Sequence, residues 1–124
     1  MLSENEIIEH FRKNGIFQGG ELYLATPAAL KFLTNCEEND LAVIGVEGFQ
    51  YHCGKVKPLL DQIADYSSAK ASRWEEFRYV CNTSCKAFIF GLPQEEELVV
   101  NFTVLSQEEW RVQICKSANG HSVG

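Results

Sequence analysis

The chain has 124 residues, 45% hydrophobic and 11% aromatic, with 17 acidic against 11 basic side chains and a formal charge of -6. That length is the usual size of one domain and supports a real core. A surface this acidic repels phosphate backbones, which argues against nucleic acid as a direct partner.

The N-terminal stretch Met1 to Glu6 has no basic start, and no run approaches the roughly 20 apolar residues of a membrane span. The expectation is therefore a cytoplasmic protein with no membrane partner, a single domain over 1–124 whose small, polar end at 117–124 forms a flexible tail. Five cysteines, Cys36, Cys53, Cys81, Cys85 and Cys115, are an odd number without a compact disulfide framework, which fits reduced thiols inside a cell.

Ser3 followed by Glu6 reads as a capping box, and Ile7, Ile8 and Phe11 make the apolar stripe of a short helix that stops at Asn14-Gly15. Gly19-Gly20 is a turn, with Glu21 to Ala25 a brief strand or a lead-in to the next helix. Thr26 as N-cap and Pro27 at the first helical position open that helix, with Ala29, Leu30, Phe32, Leu33 and Cys36 facing inward.

Leu41 to Val46 is an unbroken, β-branched-rich apolar run, the pattern of a strand buried on both faces, and it delivers the carboxylate of Glu47 at its end. The segment Gln50 to Val56 reads as a strand end or hairpin turning at Gly54. Pro58 then starts a short helix that buries Leu59, Leu60, Ile63 and Ala64 and carries Asp61 and Asp65 on one face. After a linker at Ser67 to Ala71, a helix begins near Ser72, with Trp74, Phe77, Val80 and Cys81 at helical spacing, and ends near Asn82 to Cys85.

The last third reads as strands: Ala87 to Phe90, Leu98 to Leu105 and Trp110 to Cys115, separated by turn-like stretches. In the middle one Val100, Phe102 and Val104 share a face. The fold class that follows is α+β: a mostly antiparallel sheet, made of a central strand 41–49 and a C-terminal three-strand meander at about 87–115, packed with three or four helices.

His52, Cys53, Cys81 and Cys85 are the residue types of a closed zinc site. Cys81 and Cys85, however, are spaced by three residues rather than two, and Cys81 lies on an apolar stripe where cysteine packs as a small hydrophobe. His52 beside Cys53 does not make a nucleophile pair either, since neighbours on a strand point to opposite faces. Glu47, Asp61 and Asp65 could serve acid/base chemistry or a hard cation, or stand as solvated carboxylates, Glu47 pairing with Lys55 or Lys57. Binding needs less machinery: acids around exposed aromatics suffice to capture a cationic protein, with Tyr51, Tyr66, Tyr79 or Phe49 as anchors. No cofactor and no metal are expected.

The strings Ile44 to Phe49, Pro58 to Ser67 and Trp74-Glu75-Glu76 resemble a family of small bacterial immunity proteins from polymorphic toxin systems. The resemblance covers mainly 41–76. It implies a non-enzymatic cytosolic protein that binds and neutralises a cognate toxin domain, often a nuclease. The residues expected to meet that partner, taken from the residue reading, are Glu47, Asp61, Asp65, Glu75, Glu76, Tyr51 and Tyr66. The alternative is a small ligand- or metal-binding domain or enzyme using the same carboxylates.

Overall fold

The computed structural model describes residues 1–123, with side chains as far as Lys116. Its elements are α1 (Glu4–Phe11), a 3-10 turn (Arg12–Asn14), β1 (Ile16–Gln18), β2 (Glu21–Tyr23), α2 (Thr26–Glu38), β3 (Leu41–His52), β4 (Lys55–Asp65), α3 (Trp74–Phe90), β5 (Leu98–Ser106) and α4 (Gln107–Val123). The fold is α+β. β1 and β2 form a hairpin, and the main sheet is antiparallel in the order β4-β3-β5. The tail expected at 117–124 lies outside the residues whose side chains are described.

β3 is the axis of the molecule because both of its faces are covered. Leu41, Val43 and Val46 pack with Val100 and Val104 of β5 against Ile7, Phe11, Phe32, Leu33, Cys85 and Ile89 of the helices. On the opposite face Ala42, Ile44 and Leu105 meet Trp74, Phe77 and Cys81, with Trp110 packed at the margin. Residues 42, 43 and 46 are at most 1% exposed, as an apolar run buried on both sides requires.

Local signals set the element ends. Ser3 accepts from Glu6 N at 3.2 Å while Glu6 Oε1 accepts from Ser3 N at 3.1 Å, the capping box of α1. α2 is entered one residue earlier than the Thr26 signal indicates, since Ala25 is the N-cap and Pro27 lies within the first turn, where its missing N–H costs nothing. The β3–β4 turn is Cys53-Gly54, with φ of 51° and 76°, the positive values that a two-residue hairpin turn requires at both central positions.

Several expectations are corrected. Pro58 does not start a helix: the tight Cys53-Gly54 turn sends the chain straight back along β3, so 55–65 is a strand in which Phe49 opposes Pro58 and Glu47 opposes Ile63. Leu60 and Ile63 are accordingly not buried but 81% and 49% exposed. The C-terminal meander does not form, because only 98–106 is strand. Ala87 to Phe90 continues α3, where Phe77, Cys81, Cys85 and Ile89 bury one stripe at spacings of four. Val80 lies off that stripe and is 38% exposed. Trp110 to Cys115 belongs to α4, which opens with a second capping box: Ser106 Oγ accepts from Glu109 N at 3.2 Å and Glu109 Oε1 from Ser106 N at 3.0 Å.

β4 pairs with β3 only from Gly45 onward, leaving the start of β3 without a strand on that side. α3 fills the gap through Asn82, which is 8% exposed. Its Nδ2 donates to Leu41 O at 3.0 Å and to Glu37 Oε2, and its Oδ1 accepts from Val43 N at 2.7 Å. The side-chain amide thus reproduces what a neighbouring strand would offer to residues two apart. Beside it Asp40, held at φ 59°, accepts from Trp74 Nε1 at 2.7 Å and pairs with Arg78. Arg78 Nε stands 3.2 Å from Glu37 Oε1 without the alignment of a hydrogen bond.

Candidate functional site

The face of the sheet that carries Leu105 is covered by α3 and Trp110 only at one end. Beyond that end, register places Gly45 between Asp65 and Thr103, Glu47 between Ile63 and Asn101, and Phe49 between Pro58 and Val99. Directly opposed residues share a face, so Glu47, Asp65, Ile63 and Thr103, all exposed, form one open surface. The β2 segment borders it. Tyr23 stacks edge-on against Phe49 at 5.0 Å between ring centroids, and Asn101 Nδ2 donates to Glu21 Oε2 and to Leu22 O, each at 3.0 Å.

Burial pushes the Tyr23 phenol up, and the negative charges of Glu21 and Glu47 push it further, which places both carboxylates beside that ring. Asp65 is held below the usual carboxylate range because Ser67 donates to it, the backbone N at 2.8 Å from Oδ1. Among the described residues, no ion pair involves Glu21, Glu47, Asp61 or Asp65. The pairing of Glu47 with Lys55 or Lys57 does not occur. The surface is therefore a set of uncompensated carboxylates around an aromatic floor and one exposed isoleucine.

The remaining expected partner-contacting residues are scattered around this face. Asp61 is exposed in an irregular stretch of β4, and Glu75 and Glu76 are exposed on the first turn of α3. Tyr51 is half-buried and lines a cavity with Lys13, Tyr23 and Glu97. Tyr66 is committed to the core: its ring packs against both hydrophobic clusters and its hydroxyl donates to Ser84 O at 3.2 Å. Asp61 and Asp65 lie on strand β4 rather than on one face of a helix. Glu21, Ile63 and Asn101 belong to the surface and were missed, because only strand register shows which side chains stand opposite Glu47.

The four zinc-type residues fall into two separate pairs. Cys81 and Cys85 are buried, with burial pushing them up to about 11 and about 12, while Cys53 and His52 sit at the exposed β3–β4 turn. Neutral thiols of that kind are poor nucleophiles at physiological pH. Among the described residues no group of three or more His, Cys, Asp or Glu is placed to share a metal ion, and no helix is long and apolar enough to cross a membrane.

Acid crowding also reaches α1. Glu4 is half-buried, and burial first, then the charges of Glu109 and Glu21, raise its carboxyl above the ordinary value. A raised folded value means that the folded chain holds this proton more tightly than the unfolded one, so its contribution is favourable at low pH and is lost as pH rises through the folded value. Glu4→Gln is expected to raise the melting temperature at neutral pH, the gain vanishing below about pH 4.3, the carboxyl's ordinary value. Paired melting curves across that range check it.

In comparison with known proteins, the chain matches no family model, no curated protein and no solved structure.

Proposed function

We propose that this chain is a non-enzymatic cytoplasmic binding protein that captures a cationic protein on its open sheet face, acting as an immunity protein that neutralises a cognate toxin domain such as a nuclease. One observation carries the reading: Glu21, Glu47 and Asp65 border one exposed face without an ion pair among the described residues. Holding carboxylates together unpaired costs the isolated protein stability, and a basic surface that neutralises them recovers it on binding. The floor of Tyr23 and Phe49 suits the stem and head of a lysine or arginine arriving between those acids. A nuclease fits as partner because its own nucleic-acid surface must be basic. Asp61 and the Glu75-Glu76 pair extend the negative field that steers such a partner in.

The reading requires a toxin domain encoded beside this chain's gene, and its binding to the purified chain is the test. Glu21→Lys, Glu47→Lys and Asp65→Lys together are expected to weaken its binding at least about a hundredfold, since like charges set against a basic surface cost several kcal/mol. The affinity of the unaltered chain should fall steeply with salt. Equal affinity for altered and unaltered chains, or binding indifferent to salt, rejects the assignment of this face.

A further inference from the structure

The open face continues past Phe49. β3 and β5 stay in register from Gly45 to Gln50, and Tyr51 N still donates to Glu97 O at 2.8 Å. Tyr51 and Glu97 therefore follow Phe49 and Val99 on the side that carries Glu47. At that end the face leads into a cavity of about 460 Å3, lined by Tyr23, Tyr51, Glu96, Glu97 and Val99 and by the segment Lys13 to Ile16.

The walls are held in place by the fold. Ile16 stands opposite Tyr23 in the β1–β2 hairpin. A Cβ on Gly15 would come 2.7 Å from both Leu24 Cδ2 and Tyr23 O, so the glycine is what lets this segment lie against β2. Gln18 Nε2 donates to Gly54 O at 2.9 Å, which joins β1 to the β3–β4 turn, and Tyr23 meets Phe49 edge-on. The hairpins that supply Tyr23 and Tyr51 are thus tied together at two points, and a cavity shaped in advance costs little to fill.

Polar groups around it are left unmatched. Tyr23 is 8% exposed, and a phenol buried to that degree ordinarily finds a hydrogen-bond partner. Among the described residues, however, the tyrosine hydroxyl with a protein partner is that of Tyr66. Fully buried side-chain atoms without a partner reduce to Arg78 Nε, so the Tyr23 oxygen is not sealed in the core but opens to the cavity its side chain lines. Glu97 gives Oε2 to His52 Nδ1 at 2.5 Å and keeps Oε1 free among the described residues. Glu96 and Lys13 are in no ion pair there.

We propose that this cavity is the socket for one arginine side chain of the cationic partner, a proposal that rests on the binding reading above. A planar, weakly hydrated guanidinium stacks on tyrosine rings. Its fork of donors suits the carboxylates of Glu96 and Glu97 and the free tyrosine hydroxyls. Interface energy concentrates where such an anchor fills a desolvated pocket. Two carboxylates here, with Glu21 and Glu47 on the adjoining face, outweigh the single ammonium of Lys13, whose exposed stem swings out to water.

Acetyl-arginine amide, whose sole charge is the guanidinium, tests the socket by NMR titration of the purified chain. Saturable binding is expected with a dissociation constant of about a millimolar, the range for a ligand of that size. Shifts should centre on 13–16, Tyr51 and Glu96-Glu97, and acetyl-lysine amide should bind more weakly. Tyr51→Ala and Glu96→Gln/Glu97→Gln should each weaken binding about fivefold, while Lys13→Ala should tighten it. Absence of saturable binding overturns the proposal, as do shifts confined to the Glu47 end of the face or weaker binding in Lys13→Ala, the mark of an anionic ligand. Against the toxin domain, Tyr51→Ala should lose about tenfold in affinity. A toxin that ignores Tyr51→Ala but yields to charge reversal at Glu21, Glu47 and Asp65 removes the socket and leaves the face. Binding of acetyl-arginine amide with no toxin bound removes the partner reading and leaves a guanidinium site.

Discussion

Asn82→Ala is expected to destabilise the protein by roughly 3 kcal/mol, because it leaves a buried N–H and a buried C=O of the central strand without partners at once. The N–H is that of Val43 and the C=O that of Leu41, both on the stretch of β3 that β4 does not reach. A third contact, to Glu37 Oε2, ties the end of α2 into the same point. Water relieves part of the loss, since Asn82 also lines a groove of about 350 Å3 between α2 and α3 with Leu33, Glu37, Tyr79 and Lys86. Asn82→Asp separates the hydrogen bonds from the packing. The aspartate is nearly the same size but cannot donate when ionised, and it sets a second carboxylate against Glu37. Its deficit should exceed that of alanine at neutral pH and shrink as acid restores a donor. Urea unfolding of both variants at neutral and mildly acidic pH measures this, and an aspartate variant whose deficit is the same at both would contradict the assigned contacts.

The importance of Asn82 was not legible in the sequence, whereas that of β3 was, and the contrast is physical. A strand buried on both faces announces itself by an unbroken β-branched run, and Leu41 to Val46 has one. A capping box is read equally locally, as at Ser3 and Glu6. An asparagine inside a helix has no such signature: its role depends on a backbone edge some 40 positions earlier in the chain, left open because β4 stops at Asp65. Short apolar runs fail for a different reason. Ala87 to Phe90 and Trp110 to Cys115 fit alternation as well as helical spacing, and only their surroundings decide. For the first, Phe77, Cys81 and Cys85 upstream extend the helical stripe to Ile89. For the second, Ser106 and Glu109 form a capping box that was available in the sequence and outweighs the alternation. Pro58 misled because it suits a helix start and an edge strand alike. The acidic corner was legible as composition around Glu47 and Asp65, but its membership was not, since Glu21 joins it only through β2 and Asn101.

Phe77→Ala is expected to cost about 3–5 kcal/mol, the range for removing a buried phenylalanine ring, and to release α4 before the rest of the fold. Phe77 is 2% exposed and closes a triangle with Trp74 and Trp110, its ring centroid 6.0 and 5.6 Å from theirs and the two indoles 5.7 Å from each other. Trp110 is the residue of α4 that packs on this cluster. The other large apolar side chains described in that helix, Val112 and Ile114, are 49% and 47% exposed. Among the described residues, docking of α4 therefore depends chiefly on one indole, and that indole rests on Phe77 and Trp74. Trp74 is anchored independently through its hydrogen bond to Asp40, so losing the phenyl ring should leave it in place while Trp110 loses a stacking surface and gains solvent. The two tryptophans are the only ones in the chain, which makes the event visible: intrinsic fluorescence should shift to the red at denaturant concentrations where far-ultraviolet dichroism still reports a folded sheet. Phe77→Leu, which keeps much of the volume, should lose less and keep the transitions coincident. A Phe77→Ala protein within about 0.5 kcal/mol of wild type, the range of surface substitutions, would show that α4 is held by other contacts.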